Sequence, residues 1–318
     1  PWACLPTTFP PSPKARRWSV SAPPYSDLGR ASPAITTGIA MIQTSTDHHD
    51  DVAFVGGGNM TRAIVLGMLQ NGYPEEMIRI SEPDASRRDA LAAEMTGVSI
   101  VESNTDAVAG AETVVLAVKP QVLPTVCRDI ATAVQKQQPL IISIAAGTRG
   151  ADIDDWLGGD LAVVRVMPNQ PALLGLGVSG MVGNDRAGEP QLSRAENIMR
   201  ATGAVVRVAG EAEIDAVTAV SGSGPAYFFL LIDVLAAAGA KLGLDPAAAK
   251  TLAIETAVGA AAVAKAEDDS MDALITRVRS PGGTTAAALE SLDAAGVRDI
   301  FERAVTAARD RAAELAES

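Results

Sequence analysis

The hexapeptide Ser280-Pro281-Gly282-Gly283-Thr284-Thr285 places two glycines and two threonine hydroxyls at the start of a predicted helix. The first N–H groups of a helix have no partner within the helix, and together with the helix dipole they can hold an anion. Such a helix start, with hydroxyls beside it, could bind the carboxylate of a small acid. The alternative interpretation is a turn followed by an ordinary helix cap.

A second segment has the same form. Ser221-Gly222-Ser223-Gly224-Pro225 precedes a long apolar helical stretch, and it has the same two interpretations. The apolar residues 226–232 end at Asp233, which predicts the buried face of a helix.

A glycine turn stands near the start of the patterned part of the chain. The predicted strand Val52–Val55 leads into Gly56-Gly57-Gly58-Asn59-Met60-Thr61. In a dinucleotide-binding loop, Gly56 would permit the tight turn and Gly58 would let a pyrophosphate approach the backbone, while the following helix supplies its N–H groups. Thr61 stands where Gly or Ala is usual. An ordinary tight turn is the alternative, but the strand before and the helix after favour a nicotinamide dinucleotide site.

The region after the second predicted strand bears on the choice of cofactor. An acid at this place normally binds the ribose 2′-hydroxyl and repels a 2′-phosphate, so Glu82 favours NADH. Ser81, with Arg87 and Arg88 nearby, would instead suit NADPH. A third interpretation is that Asp84 starts the next helix and Glu82 is solvated, and the sequence leaves all three open.

Two further segments close predicted strands, Ala117-Val118-Lys119-Pro120 and Ala145-Ala146-Gly147. Either could be a simple strand-to-helix turn. Because the carboxyl ends of parallel strands meet at one edge of the sheet, their shared position favours ligand binding.

Strand and helix patterns alternate from Asp51 to about Gly210, which predicts βαβ units and a mostly parallel sheet. The predicted strands are Val52–Val55, Met77–Ser81, Val98–Val101, Thr113–Val118, Leu140–Ile144, Ala162–Met167, Gly177–Val182 and Ala204–Val208. The predicted helices between them are Asn59–Gln70, Ala85–Met95, Gln121–Gln135 and Gln191–Ala201. After Gly210 only Ala-rich helical patterns remain, over 213–220, 225–242, 246–266, 270–279, 285–294 and 297–316.

These patterns predict an α/β Rossmann-type dinucleotide-binding domain over residues 46–210, followed by an all-α C-terminal dimerisation domain over residues 211–318. Aromatic residues make up only 3% of the chain. A helical domain with so few large side chains would gain from pairing with a second copy, because stabilisation scales with buried area. We expect a homodimer formed through these helices.

Composition excludes several classes of function. The net charge of −12 argues against partners such as nucleic acid or an anionic membrane surface. No apolar stretch free of Pro, Gly and charge is expected to span a bilayer. Both histidines, His48 and His49, precede the first strand, so catalytic triads and catalytic zinc sites are not expected, nor any metal site. Cys4 and Cys127 form no disulfide framework, which favours the reducing cytoplasm.

Residues 1–45 have no helical or strand periodicity, and a disordered extension is expected. Their basic, Ser-containing composition weakly suggests a targeting segment as the alternative to an extension upstream of Met41.

The chain resembles the pyrroline-5-carboxylate reductase family from about Asp51 to the last helix. The segments that carry the resemblance are FVGGGNM (54–60), LAVKP (116–120), SIAAG (143–147), VRVMPNQPALLGLG (164–177), DAVTAVSGSGPAY (215–227) and SPGGTT (280–285). It departs from the usual family residues at Thr61, Gln170 and, for some members, Thr284.

The resemblance implies reduction of 1-pyrroline-5-carboxylate to L-proline by hydride transfer from NADPH or NADH, the last step of proline biosynthesis. It implies that the Thr285 hydroxyl bonds the ring nitrogen as the catalytic residue, that Gly283 and Thr284 hold the carboxylate, and that Ser280 assists. The resemblance also implies that Asn169 lies near the nicotinamide. The alternative interpretation is that Asn169 is only a turn residue after a strand. With the positions found above, the expected cofactor contacts are Val55, Gly56, Gly57, Gly58, Asn59, Met60, Ser81, Glu82, Asn104, Ala117, Val118, Lys119, Pro120, Ala145 and Ala146.

Two other functions stay open on sequence grounds. A β-hydroxyacid dehydrogenase would place a lysine soon after a glycine-rich helix start, whereas Lys241 comes about four turns after Gly224-Pro225. A protein that senses NAD(P)(H) without turnover is the second alternative, and the intact glycine segments favour activity over it.

Overall fold

A computed structural model describes residues 49–316 of the chain, and the expectations for residues 1–45 lie outside them. The sheet has eight strands in the order β3-β2-β1-β4-β5-β6-β7-β8. The strands are β1 (Val52–Val55), β2 (Ile78–Ser81), β3 (Ser99–Val101), β4 (Thr113–Leu116), β5 (Leu140–Ser143), β6 (Val163–Met167), β7 (Gly177–Gly183) and β8 (Gly203–Arg207). Every neighbouring pair is parallel except β6 and β7, which run antiparallel. The predicted α/β class and mostly parallel sheet are confirmed.

Twelve α-helices accompany this sheet within residues 49–316. They are α1 (Asn59–Gln70), α2 (Ala85–Glu94), α3 (Asn104–Val108), α4 (Leu123–Gln137), α5 (Gly150–Trp156), α6 (Glu189–Arg200), α7 (Glu211–Val217), α8 (Gly224–Lys241), α9 (Pro246–Ala266), α10 (Met271–Val278), α11 (Thr284–Ala294) and α12 (Val297–Ala316). The sequence did not predict α3 and α5, because helices of five and seven residues are too short to show a periodic apolar face.

The core lies on both faces of the sheet. In β1, Val52 and Phe54 pack into one apolar cluster, while Ala53 and Val55 pack into the other on the opposite face. Successive side chains of a strand point to opposite faces, so a strand buried on both sides is a continuous apolar run. Cys127 is a small residue fully buried in the second cluster, and burial raises the pKa of its thiol to about 12.

The helical part has an exposed apolar surface in the single chain. Helices α8 and α9 pack on each other, but most of their large side chains face outward. Those exposed by more than 40% are Phe228, Phe229, Leu230, Leu231, Val234, Leu235, Leu252, Val258 and Val263. The expectation that residues 226–232 form a buried face is therefore wrong for the part of the chain that the structure describes, because none of residues 49–316 covers this side of α8.

Two helical stretches, Glu211–Lys241 and Pro246–Ala266, are long and apolar enough to cross a membrane by length and composition alone. Both stretches contain proline, glycine and charged residues, so they do not contradict the expectation that no apolar stretch free of all three is long enough to span a bilayer. Pro225 lies in the first turn of α8, where proline is tolerated, and does not interrupt the helix.

A cluster of charged side chains fixes the first helix of this part to the sheet. Arg165, in β6 and nearly buried, pairs with Glu211, whose other oxygen accepts from the Gly150 N–H at 2.8 Å. Arg149 pairs with Asp215 at 2.8 Å. Burial alone would lower the pKa of Arg149, but the hydrogen bond and charge of Asp215, with the charge of Glu211, outweigh it and leave that pKa raised. The position of α7 on β6 is thus set by paired charges.

Candidate active site

The candidate site lies at the carboxyl edge of the parallel strands. From β1 the chain first builds outward to β2 and β3, and then crosses back to place β4 on the other side of β1. Ligands of open α/β sheets bind in the crevice outside such a reversal point. The glycine turn after β1 and the segments after β4, β5 and β6 all lie at this edge.

The turn after β1 needs glycine for two separate reasons. Gly56 has φ of +104°, and a Cβ there would lie 2.9 Å from the Ala117 carbonyl oxygen.

Thr61 is fully buried, and its hydroxyl donates to the Gly56 carbonyl at 2.5 Å. The threonine that departs from the usual small residue therefore ties the helix to the loop, a contact the sequence did not suggest.

Gly58 immediately precedes α1 and leaves open space on its own side. A Cβ at Gly58 would meet no atom within 4 Å, and no side chain caps the helix at this end. Asn59 is exposed, and Met60 is half-buried at the edge of the core. Free helix N–H groups facing an open space fit the phosphates of a dinucleotide.

Glu82 lies beside this loop and is only 5% exposed. Its carboxylate accepts from the Gly57 N–H at 3.2 Å and from the Asp84 N–H at 3.1 Å. The interpretation of Glu82 as a solvated side chain is therefore wrong. The part of the same interpretation that concerns Asp84 is confirmed, since Asp84 caps α2 by accepting from the Arg87 N–H at 2.9 Å.

Of the three groups proposed to suit a 2′-phosphate, Ser81 and Arg88 are already engaged, whereas Arg87 is exposed. The buried Ser81 hydroxyl donates to Asn104 Oδ1 at 2.8 Å. The Arg88 guanidinium donates to the Glu82 carbonyl at 2.9 Å and to the Glu102 carboxylate at 3.0 Å. Asn104 is the first residue of α3, and the preceding serine caps that helix.

Two more predicted segments close strands at the same edge. The Ala117 N–H donates to the Val55 carbonyl at 2.9 Å, so the segment after β4 lies directly against the glycine turn. Val118 is half-buried and Lys119 is exposed. After β5, Ala145 is buried while Ala146 faces outward.

A cavity of about 970 Å³ opens here between the segments after β4 and β5 and the end of α12. Its lining includes Pro120, Ala146, Thr148, Arg149 and Thr218. The structure thus brings Pro120 and Ala146, two of the predicted cofactor contacts, to one cavity.

The Ser221–Pro225 segment lies at the end of β6. Residues Thr218–Gly222 form a π-helical turn between α7 and α8, and such turns are frequent at functional sites. The Asn169 amide donates to the Ser221 carbonyl at 3.1 Å. The sequence did not reveal this bond. Pro225 could have indicated it, because proline lacks the N–H that would bond the Ser221 carbonyl, so that this carbonyl needs another donor.

The Ser280–Thr285 segment forms an open helix start. Gly282 has φ of +67°, which favours glycine, and a Cβ at Gly283 would lie 2.3 Å from the Ser280 hydroxyl oxygen. The two positions therefore require glycine for different reasons. No side chain caps α11, which begins at Thr284. Ser280 and Thr284 are exposed and Thr285 is half-buried. The Gly283 N–H donates to the Ser280 carbonyl at 3.0 Å, whereas the first-turn N–H groups that begin at Thr284 have no side-chain cap and can bind an anion.

Among residues 49–316, the Ser280–Thr285 segment does not line the cavity at the carboxyl edge of the sheet. Helix α11 packs against α12, and none of the described residues that line the 970 Å³ cavity belongs to Ser280–Thr285. Residues 49–316 contain no group of three or more His, Cys, Asp or Glu side chains that could hold a metal ion.

An open glycine turn at the carboxyl edge of a Rossmann-type sheet is typical of an NAD(P)-dependent oxidoreductase, and this is the class to which the relatives assign the chain. The family model described as pyrroline-5-carboxylate reductase dimerisation matches residues 211–315. A second model, described as NADP oxidoreductase coenzyme F420-dependent, matches residues 51–147. The chain belongs to the pyrroline-5-carboxylate reductase family, as its relatives establish.

Among those relatives, the pyrroline-5-carboxylate reductase of Pseudomonas aeruginosa is 46% identical over 84% of this chain and 97% of its own length. The structure of a pyrroline-5-carboxylate reductase from Coxiella burnetii has a TM-score of 0.82 and 37% identity, and covers 85% of this chain and 100% of that one. The Plasmodium falciparum pyrroline carboxylate reductase, solved with NADP bound, has a TM-score of 0.73 and 28% identity, with coverage of 84% and 98%.

Proposed function

We propose that the protein reduces 1-pyrroline-5-carboxylate to L-proline with a hydride from NADH or NADPH, the last step of proline biosynthesis. Family membership at 46% identity over almost the whole length of a relative carries this proposal. The open glycine turn before α1 and the uncapped start of α11 support it independently, because they match the two anions of the reaction, a pyrophosphate and a carboxylate.

The residues of this chain would act mainly by binding and orienting. The Thr284 N–H would hold the substrate carboxylate, with Ser280 beside it, and the Gly283 N–H would join once released from the Ser280 carbonyl, to which it donates at 3.0 Å. The Thr285 hydroxyl would bond the ring nitrogen. When bound, the reduced nicotinamide supplies the hydride to the imine carbon, and the ring nitrogen keeps its proton. A protonated imine is already electrophilic, so positioning, which can lower a barrier by about 7–11 kcal/mol, would do most of the work.

The complete site would need two copies of the chain. The protein forms homo-oligomers, in keeping with the dimerisation match over residues 211–315. We propose that the exposed apolar face of α8 and α9 is buried in a homodimer rather than in lipid, and that pairing brings the Ser280–Thr285 segment of one copy to a cofactor edge. The free, buried thiol of Cys127 supports action in the reducing cytoplasm.

The test is NADH and NADPH oxidation by the purified full-length chain with racemic 1-pyrroline-5-carboxylate, with proline quantified as product. Oxidation of 3-hydroxyisobutyrate, assayed in parallel, addresses the dehydrogenase alternative. Tight cofactor binding without imine reduction would favour the sensing alternative and refute the proposal.

A further inference from the structure

Asn169 lies where β6 ends, β7 begins and the π-helical turn Thr218–Gly222 passes over the sheet. We propose that Asn169 is a positioning residue for imine reduction, whose side-chain amide supplies the hydrogen bond that Pro225 cannot give to the turn. This inference rests on the proposed function and assigns Asn169 a role other than contact with the nicotinamide.

The first observation is the missing donor. In an α-helix the carbonyl of residue 221 would accept from the N–H of residue 225, but Pro225 has none. Asn169 Nδ2 lies 3.1 Å from the Ser221 carbonyl oxygen and takes that place. A carbonyl in this half-buried turn would otherwise lose a partner, which costs stability.

The second observation is that side chains hold the rest of the turn as well. The Tyr227 hydroxyl donates to the Ala219 carbonyl at 3.1 Å, and the Ser221 hydroxyl donates to the Val217 carbonyl at 3.0 Å. The Ser223 N–H closes the π turn on the Thr218 carbonyl at 2.8 Å. Side-chain hydrogen bonds therefore support the shape of the turn alongside its backbone bonds.

The third observation is that Asn169 has little freedom to turn toward a ligand. Its Oδ1 accepts from the Val178 N–H at 3.0 Å, and the residue is only 9% exposed. Both ends of the amide are engaged, one by β7 and one by the turn. Asn169 consequently fixes the turn relative to the end of β6, at the edge where the cavity lined by Thr218 opens.

The decisive variant is Asn169→Asp, which keeps an acceptor for Val178 but replaces the donor to Ser221 with oxygen. We expect kcat for imine reduction to fall about 10- to 100-fold, as for small misplacements of reacting groups. The KM for the imino acid should rise, while the Kd for NADH, measured by fluorescence, should stay within about twofold of the wild type.

Asn184 offers a matched control at the opposite end of the same strand pair. Its amide donates to the Leu161 carbonyl at 2.9 Å and accepts from the Val163 N–H at 3.1 Å. Asn184→Asp removes the same kind of bond far from the site, so it should lower Tm without changing kcat or either KM. An Asn169→Asp enzyme with wild-type kcat and KM, or one that loses NADH affinity together with Tm, would overturn the proposal.

A rescue experiment tests the role of Pro225 directly. In the Asn169→Ala background, Pro225→Ala restores a backbone N–H four residues after Ser221 and should recover part of the lost kcat. If the double variant is as slow as Asn169→Ala alone, the Asn169 amide does not replace the backbone N–H that Pro225 lacks, and the proposal is refuted. Absence of imine reduction by the wild type would instead refute the proposed function, so the two failures are distinguishable.

Discussion

Replacement of Glu82 tests the choice between NADH and NADPH. The Glu82 carboxylate lies against the glycine turn, 3.2 Å from the Gly57 N–H, at the place where the ribose of a dinucleotide binds. A 2′-phosphate would add a charge of about −1.5 to −2 beside it. We therefore expect the wild type to use NADH well, and Glu82→Gln to shift preference toward NADPH.

The size of the shift follows from the geometry. Two unit charges about 4 Å apart repel by about 4 kcal/mol at an effective dielectric constant of 20. Solvent and counter-ions at the open edge of the turn reduce this, and we take about half, or ~2 kcal/mol. Since 1.4 kcal/mol is a factor of ten, the ratio of kcat/KM for NADPH to that for NADH should rise about 30-fold.

The assay is initial-rate oxidation of each cofactor at fixed imino acid, for the wild type, Glu82→Gln and a charge control. Glu76→Gln removes an equal charge from an exposed position just before β2, at the far end of that strand. It should leave the ratio unchanged. A strong NADPH preference in the wild type, or an equal shift in both variants, would show that Glu82 does not act on the 2′ position.

Thr285→Ala should lower kcat about 10²-fold or more with unchanged NADH binding, because it removes the hydroxyl assigned to the ring nitrogen. Thr285→Ser keeps a hydroxyl and should retain most activity. A near-wild-type kcat in the alanine variant would show that Thr285 does not have this role. Phe229→Glu should convert the proposed dimer to monomers in sedimentation and abolish turnover, since Phe229 is 57% exposed in the single chain. The control Val206→Glu changes a residue that is 52% exposed on β8, and it should alter neither the sedimentation nor the turnover. In a Cys4→Ser background, Cys127 should react with a thiol reagent at pH 8 only after unfolding, because burial raises its pKa to about 12, and fast labelling of the folded protein would contradict this.

Much of the fold was accessible from the sequence because its signals are local. The continuous apolar run of β1, the glycines after it and the alternation of strands and helices up to Gly210 predicted the sheet, and all eight strands fall where the patterns placed them within about two residues. Helices α9 and α12 have the predicted bounds, since Asp245 and Pro246 give a clear start signal for the first of them.

The contacts that join distant segments were not accessible in this way. Nothing local to Asn169 says that its amide reaches Ser221, 52 residues away, or that Glu82 turns toward Gly57 instead of water. The exposure of α8 is the same kind of fact, because an apolar helix face has one pattern whether its own chain or another copy covers it.

The sequence by itself thus determined the strands, the longer helices, the family and the chemical types of the two glycine-rich segments. The tertiary structure decided which polar groups are already engaged, as for Ser81 and Arg88, and which stay free, as at the starts of α1 and α11. The physical reason is that periodicity and turn propensity act over a few residues, whereas a hydrogen bond between segments depends on how the whole chain packs.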